Sequence, residues 1–232
     1  MKLTLLFIHG AAGSHKVWEH QMKFFSHALA IDLQDHGIGI GKRTIDGYVR
    51  EVKKLCDERD LKNVVMVGHS MGGAIAQKFA LDNPEYLKAI VLVGTGAKLR
   101  VNPMIFNAIR RGYAQAIEFI TRLALSNEAS GEIKKKVAQE MMDISPESAY
   151  DDFEACDKFD TMNRLKEIKV PTLIICGLED QLTPVKYSEY LRNNITNSKL
   201  ELIASAGHMV MLEKPEEFNE KLEKFIKELD NC

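Results

Sequence analysis

Four short segments of the chain are almost continuously apolar and are rich in leucine, isoleucine and valine. These segments are Leu3–Ile8, Val64–Val67, Ala89–Val93 and Val170–Cys176. Continuous rather than alternating apolar positions are typical of strands whose two faces are both buried in a parallel sheet. Two weaker segments of the same kind, Ala28–Asp32 and Leu200–Ile203, bring the predicted sheet to about six strands.

Segments with a helical spacing of apolar residues lie between the predicted strands. The predicted helices are Tyr48–Asp57, Met71–Leu81, Pro184–Leu191 and Glu216–Leu229. In the last of these, five apolar residues recur three and four positions apart and form a single stripe. The alternation of strands and helices predicts an α/β fold, with a mostly parallel sheet and helices on both of its faces.

One long interval, residues 98–161, contains no predicted strand. It contains four segments with a helical pattern, Met104–Arg111, Ala114–Leu125, Gly131–Met142 and Ser148–Phe159. We interpret this interval as a small helical lid, inserted into a core formed by residues 1–97 and 162–232. The first part of the lid is basic and the second part is acidic, which we interpret as two solvated helix faces that partly pair with each other.

Length and charge narrow the function classes. The 232 residues suit one domain, and 31 basic against 33 acidic side chains give a net charge of -2, which favours neither a nucleic-acid partner nor a membrane surface. No apolar run approaches the ~20 residues of a membrane span, and the N-terminal apolar run is too short for a signal peptide. The four cysteines are scattered without a CxxC pair, so we expect packing roles and a reducing, cytoplasmic location.

The chemistry is predicted by the segment Gly68-His69-Ser70-Met71-Gly72, which connects a β-branched strand to a predicted helix. In a tight turn from strand to helix, the residues two before and two after the serine come close together, and glycine has no Cβ to collide there. The turn projects the serine hydroxyl into a cleft at a helix N-terminus, where backbone N–H groups favour developing negative charge. Ser70 is therefore the predicted nucleophile.

A serine needs a base to accept its proton and a carboxylate to orient that base. His208 lies in a loop after a predicted strand, at the sheet edge that also presents Ser70. The carboxylate is expected between them in the chain, in the loop after Val170–Cys176, where Glu179 and Asp180 are adjacent. Spacing alone leaves these two carboxylates as alternatives.

Two backbone N–H groups are needed to stabilise an oxyanion. One is expected from Met71, the residue after the nucleophile. The other is expected from the loop His9 to Ser14, whose small residues allow close approach to a substrate, with Ala11 as the natural donor.

Nearly the whole chain resembles the α/β-hydrolase superfamily, in particular small carboxylesterases and monoacylglycerol-lipase-like serine hydrolases. The resemblance lies in His9-Gly10, the Ser70 segment, Gly177 to Asp180 with Pro184, and Gly207-His208. In the family pattern the acid is the fourth residue of Gly-x-x-Asp, so the resemblance selects Asp180. The chain departs from the pattern in its shortened N-terminal sheet and in the loop Asp32 to Gly37, which lacks the usual proline and first glycine.

The resemblance implies an α/β-hydrolase fold and a carboxylesterase-type enzyme that forms an acyl-enzyme on Ser70, with no metal and no other cofactor. We expect a small-molecule ester of short to medium acyl chain as the substrate. Candidate pocket residues are Met104, Ile105, Phe106, Tyr113, Phe119, Ile120, Leu123, Met209 and Val210. The alternatives are a lyase, perhydrolase or acyltransferase on the same fold, or a ligand-binding receptor with weak hydrolase activity.

Overall fold

A computed structural model describes residues 3–33 and 44–229. Its sheet has six strands in the order β2-β1-β3-β4-β5-β6, and every neighbouring pair is parallel. The strands are β1 (Thr4–Ile8), β2 (Leu29–Ile31), β3 (Val64–His69), β4 (Leu87–Val93), β5 (Thr172–Gly177) and β6 (Ser198–Ile203). This confirms the predicted parallel sheet of about six strands.

The inner strands are buried on both faces, which explains their continuous apolar sequence. In β3, Val64 and Met66 pack into one core cluster, and Val65 and Val67 pack into the cluster on the other side of the sheet. All six residues of β3 are buried. Because both faces of the sheet are covered, no polar alternation appears along this strand.

Helices cover both sheet faces. They are α1 (Glu19–Phe24), α2 (Ile45–Glu58), α3 (Met71–Asp82), α4 (Pro103–Arg111), α5 (Tyr113–Ala124), α6 (Gly131–Met142), α7 (Pro146–Lys158), α8 (Val185–Asn194), α9 (Val210–Glu213) and α10 (Pro215–Leu229). The cluster on one face takes residues from α2, α3 and α8, and the cluster on the opposite face takes residues from α9 and α10. The short helices around His15–Phe24 and at α9 are absent from the sequence prediction.

Helices α4 to α7 occupy the interval between β4 and β5, where the sequence predicts four helices and no strand. They build a third apolar cluster of their own, which includes Ile105, Ile117, Ile120 and Met141 and also contacts Ala12 of the core. Lys98 and Asp160, at the two ends of the interval, form an isolated antiparallel bridge and a salt bridge of 2.5 Å. The two ends of the insertion are therefore joined to each other.

Three cysteines lie within the described residues, and Cys56, Cys156 and Cys176 are all buried and free of disulfide bonds. Burial raises the pKa of Cys56 to about 11 and that of Cys176 to about 12. None of the described helices is long and apolar enough to cross a membrane.

Candidate active site

Ser70 occupies a strained turn between β3 and α3. Its backbone angles, φ 53° and ψ -112°, are ones that a side-chain-bearing residue rarely adopts. A Cβ on Gly68 would lie 2.1 Å from the carbonyl oxygen of Gly72, and a Cβ on Gly72 would lie 2.4 Å from the carbonyl oxygen of Ile8. Both glycines are therefore required by the close approach of backbone segments at this turn.

Hydrogen bonds from β4 and the loop after it hold the strained residue in place. The N–H of Ser70 donates to the carbonyl oxygen of Val93 at 2.9 Å, and the Thr95 hydroxyl donates to the carbonyl oxygen of Ser70 at 2.9 Å. Strain of this type costs on the order of 1–3 kcal/mol and persists only when the surroundings fix it. The serine conformation is thus maintained by its neighbours in the sheet.

His208 and Asp180 form a buried pair beside this turn. His208 Nδ1 lies 2.8 Å from Asp180 Oδ2, and the side chains are 5% and 0% exposed. An ionised carboxylate can only accept, so Nδ1 carries the proton and Nε2 keeps its lone pair. The imidazole is therefore held in the tautomer in which Nε2 can take a proton.

The loop after β5 supplies further donors to Asp180. The N–H groups of Leu182 and Thr183 donate to Oδ1 at 2.9 and 2.8 Å, and the Thr183 hydroxyl donates to Oδ2 at 2.8 Å. Thr183 Oγ1 also lies 3.1 Å from His208 Nδ1. With His208, Asp180 thus has four hydrogen-bond partners, which offset the cost of burying a charge.

The neighbouring carboxylate, Glu179, faces a different part of the molecule. Its Oε2 accepts the N–H of Asn127, in the loop between α5 and α6, at 3.1 Å. Successive residues on this loop point apart, which is the reason that spacing could not choose between the two acids. The structure brings Asp180 to His208, and it brings Glu179 to the insertion.

The His69 ring lies beside the His208 ring, with the two centroids 4.6 Å apart. Its Nε2 donates to the carbonyl oxygen of His208 at 3.1 Å, because a carbonyl can only accept. Complete burial, reinforced by the neighbouring His208, holds the pKa of His69 well below its usual value. His69 is therefore a neutral ring that supports the backbone of His208.

The loop after β1 approaches Ser70 closely. A Cβ on Gly10 would lie 3.1 Å from Ser70 Cβ and 2.9 Å from His69 Nδ1. His9 fixes this loop, since its Nδ1 donates to the carbonyl oxygen of Gly10 at 2.7 Å and its Nε2 accepts the N–H of Leu33 at 3.0 Å. The small residues thus bring the backbone of this loop close to Ser70.

The backbone N–H groups of Ala12 and Met71 differ in whether they already have an acceptor. The N–H of Ala12 donates to Asp152 Oδ2 of α7 at 3.0 Å, so it is already engaged. Met71 is the first residue of α3, and an N–H at that position has no acceptor within its own helix. Ala11 lines the same cavity as Ser70.

The loop that carries His208 is fixed by α5 and α9. The N–H groups of His208 and Met209 both donate to the carbonyl oxygen of Ala124, at 2.8 and 3.2 Å. The Glu213 carboxylate accepts the N–H of Gly207 and the N–H of Ser126, each at 2.9 Å. The position of His208 therefore depends on residues of the insertion as well as the sheet.

A cavity of about 470 Å³ opens above Ser70 and His208. Its apolar wall comes from the insertion and the loop after β1, and its rim carries polar residues that include Arg100, Asn102, Gln181 and Lys186. Of the predicted pocket residues, Ile105, Ile120, Leu123 and Met209 line it.

Five predicted pocket residues do not line this cavity, because helix rotation directs them elsewhere. Met104 is 56% exposed. The Phe106 ring meets the Tyr150 ring edge-on, the Tyr113 hydroxyl donates to the carbonyl oxygen of Met141, and Phe119 lies under Arg122. Val210 is fully buried in the core. Helical spacing identified apolar residues of the insertion, but it did not identify which side of each helix faces the nucleophile.

Sequence analysis also missed Asp152, Thr183 and Glu213 as structural partners of the site. Thr183 and Glu213 lie within or beside segments that carry the family resemblance, so the resemblance was the available signal for them. Asp152 was interpreted as part of a solvated acidic face, although it is only 4% exposed.

In the atypical loop after β2, Asp32 accepts two hydrogen bonds of 2.7 Å from His15. Residues 34–37 of that loop lie outside the described residues.

Within residues 3–33 and 44–229, no group of three or more His, Cys, Asp or Glu side chains is arranged to hold a metal ion.

Comparison with known proteins identifies the family. A family model of the alpha/beta hydrolase fold matches residues 4–215. The chain is 26% identical to 3-oxoadipate enol-lactonase 2 of Acinetobacter baylyi, over 97% of this chain and 88% of that protein, and 24% identical to human monoacylglycerol lipase ABHD6, over 99% and 77%. A thermophilic esterase of known structure is 38% identical, with a TM-score of 0.86 over 97% of this chain and 90% of that one. The chain belongs to the alpha/beta hydrolase fold family.

Proposed function

We propose that the protein is a serine hydrolase that cleaves carboxylic esters of short to medium acyl chain. The observation that carries the proposal is the position of Ser70, strained at the start of α3, in one cavity with a histidine whose Nδ1 is held by a buried carboxylate. Strained backbone at a cavity wall and an oriented base together make an activated nucleophile.

In the first half-reaction, His208 Nε2 takes the proton of Ser70 Oγ as this oxygen attacks the ester carbonyl carbon. The carbonyl oxygen becomes an oxyanion, and the N–H groups of Met71 and Ala11 stabilise it. The imidazolium that forms is stabilised by Asp180. When the tetrahedral intermediate collapses, the protonated Nε2 gives its proton to the leaving alcohol, and the acyl group stays on Ser70.

In the second half-reaction, His208 takes a proton from water, whose oxygen attacks the acyl carbon. The same two N–H groups stabilise the second oxyanion, and the return of the proton to Ser70 Oγ releases the acid. Asp180 holds the imidazole in one tautomer throughout, so the same nitrogen acts as base and then as acid.

The shape and lining of the cavity support the substrate class. Ile105, Ile120 and Leu123 of the insertion supply apolar surface above Ser70, which suits an acyl chain. A volume of about 470 Å³ suits a small ester. The esterase and the lipase among the similar proteins support ester cleavage, and the enol-lactonase adds lactones to the substrates worth testing.

The proposal is tested with a fluorophosphonate probe and a series of nitrophenyl esters of increasing acyl length. Mass spectrometry should place the probe on Ser70, turnover should be highest with short to medium esters, and Ser70→Ala should abolish both while keeping the melting temperature near that of the wild type. Wild-type turnover by Ser70→Ala would refute the nucleophile. Labelling without turnover of any ester or lactone would favour a lyase or acyltransferase, and no labelling would favour a receptor.

A further inference from the structure

One acidic side chain in the cavity has no place in the mechanism above. Glu140 of α6 lines the cavity together with Val137 and Met141, which lie three positions before it and one after it. These residues share one helix face, so Glu140 lies beside apolar residues of the cavity wall. Val17, after the loop that follows β1, is a further apolar neighbour in the same wall.

The Glu140 side chain is buried without a partner. The residue is only 6% exposed, and its Oε1 has no hydrogen-bond partner among the residues that the structure describes. Burial raises the pKa of Glu140 to about 7. A buried polar atom without a partner is costly and uncommon in native proteins, so it requires an explanation.

The nearby lysines are already paired with other carboxylates. Lys16 Nζ lies 3.2 Å from Asp143 Oδ2, and Lys136 forms a salt bridge with Glu19. These four charged side chains line a shallow surface pocket on which Glu140 also borders. The cations next to Glu140 therefore complete their ion pairs elsewhere, and Oε1 is left with its acceptor capacity unused.

We propose that Glu140 is a specificity-determining residue that accepts a hydrogen bond from a hydroxyl group on the acyl part of the substrate. A hydroxyl suits the site better than an ammonium group, because the apolar wall would make the desolvation of a cation costly. An anionic group would be repelled whenever the Glu140 carboxyl group is ionised. The inference rests on the proposed function, and it narrows the substrate from a simple acyl ester to a hydroxyacyl ester.

The test compares kcat/KM for methyl hexanoate, methyl 3-hydroxyhexanoate and methyl 6-hydroxyhexanoate, followed by acid release. The enzymes are the wild type, Glu140→Leu and the matched control Glu132→Leu, which changes an exposed glutamate of the same helix. For at least one hydroxylated ester, the preference over methyl hexanoate should be about tenfold greater in the wild type than in Glu140→Leu. Glu132→Leu should keep the wild-type preference. Glu140→Met serves in place of Glu140→Leu if the latter does not fold.

A binding measurement separates failure of this inference from failure of the proposed function. The Kd values of the same esters are measured by calorimetry in Ser70→Ala and in Ser70→Ala combined with Glu140→Leu. A wild-type enzyme that turns over no ester would refute the proposed function, and the Kd ratios would still decide the role of Glu140. Equal hydroxylated-to-plain ratios with and without the Glu140 carboxyl group, in both turnover and binding, would overturn the inference.

Discussion

The carboxylate of Asp152, on a helix of the insertion, accepts the backbone N–H of Ala12 at 3.0 Å. Ala12 has a positive φ of 51° and directly follows Ala11, the proposed oxyanion donor. Asp152 also accepts the hydroxyl of Tyr48 from α2. One buried carboxylate thus connects the insertion, the core and the loop whose backbone approaches Ser70.

Removal of this carboxylate should impair catalysis through the loop. Asp152→Ala should lower kcat about 10- to 100-fold, less than the ~10²–10³-fold typical of deleting an oxyanion donor, because Ala11 stays in place but is less well positioned. KM should change little, since the cavity wall is intact. Asp152→Asn keeps an acceptor for the N–H of Ala12 and should recover most of kcat. Steady-state kinetics check this, and equal kcat values for Asp152→Ala and the wild type would contradict it.

The two adjacent acids of the β5 loop offer a matched pair of variants. Asp180→Asn should lower kcat by about 10³–10⁴-fold, as in serine proteases, because an amide can present an N–H to Nδ1 and favour the wrong tautomer. Glu179→Gln should keep kcat within a few-fold of the wild type, since among the described residues the Glu179 carboxylate accepts a hydrogen bond only from the N–H of Asn127. Turnover of a nitrophenyl ester by both variants measures the difference. The reverse order would assign the acid to Glu179.

Glu213 should hold in place the loop that carries His208. Glu213→Gln replaces one acceptor oxygen by an NH2 group, so either Gly207 or Ser126 loses the partner of its buried N–H. We expect the free energy of unfolding to fall by about 1–3 kcal/mol and kcat to fall with it, because His208 follows Gly207 directly. Denaturant melts and kinetics report the two effects. Glu216→Gln, at an exposed position of α10, is the control. Wild-type activity in Glu213→Gln would argue against this role of Glu213.

Glu140 should make the stability of the protein depend on pH. Its pKa is about 7 when folded, against 4.5 for the ordinary group, so between these pH values the folded protein holds a proton that the unfolded chain has released. Stability contributed by that proton is present below about pH 4.5 and is lost as the pH rises to about 7. The facing charges are Lys16, Glu19, Lys136 and Asp143.

Glu140→Gln removes this titration. Its melting temperature should therefore equal that of the wild type near pH 4.5 and should exceed it at pH 8. Glu132→Gln, an exposed change on the same helix, should follow the wild type at both values. A difference between Glu140→Gln and the wild type that is the same at every pH would show that the carboxyl group titrates normally.

The sheet could be predicted from the sequence because strands that are buried on both faces have nearly continuous apolar sequences. The runs that became β1, β3, β4 and β5 are almost entirely apolar, since nearly every position meets either the helices of one face or those of the other. The short helix α1 has no comparable apolar pattern in its sequence, because Gln21 is its one buried residue.

The finer features of the site depend on contacts between residues far apart in the chain. Asp152 and Ala12 are separated by 140 positions, and nothing in an acidic helix marks which carboxylate is buried. The orientation of α4 and α5 over the cavity depends on how they pack against each other, so Ile105 lines the cavity while Met104 beside it is exposed. Local periodicity predicts which residues are apolar, and it does not predict the partner of each face.

The carbonyl oxygen of Ala124 sets a limit on how a substrate enters. This one atom, at the end of α5, accepts the N–H groups of His208 and Met209. Movement of α5 away from the sheet would therefore displace His208, the proposed base, from Ser70, the proposed nucleophile. Substrate should therefore enter, and product should leave, along the polar rim between Arg100 and Lys186. Helix α5 should stay in place through the whole turnover cycle.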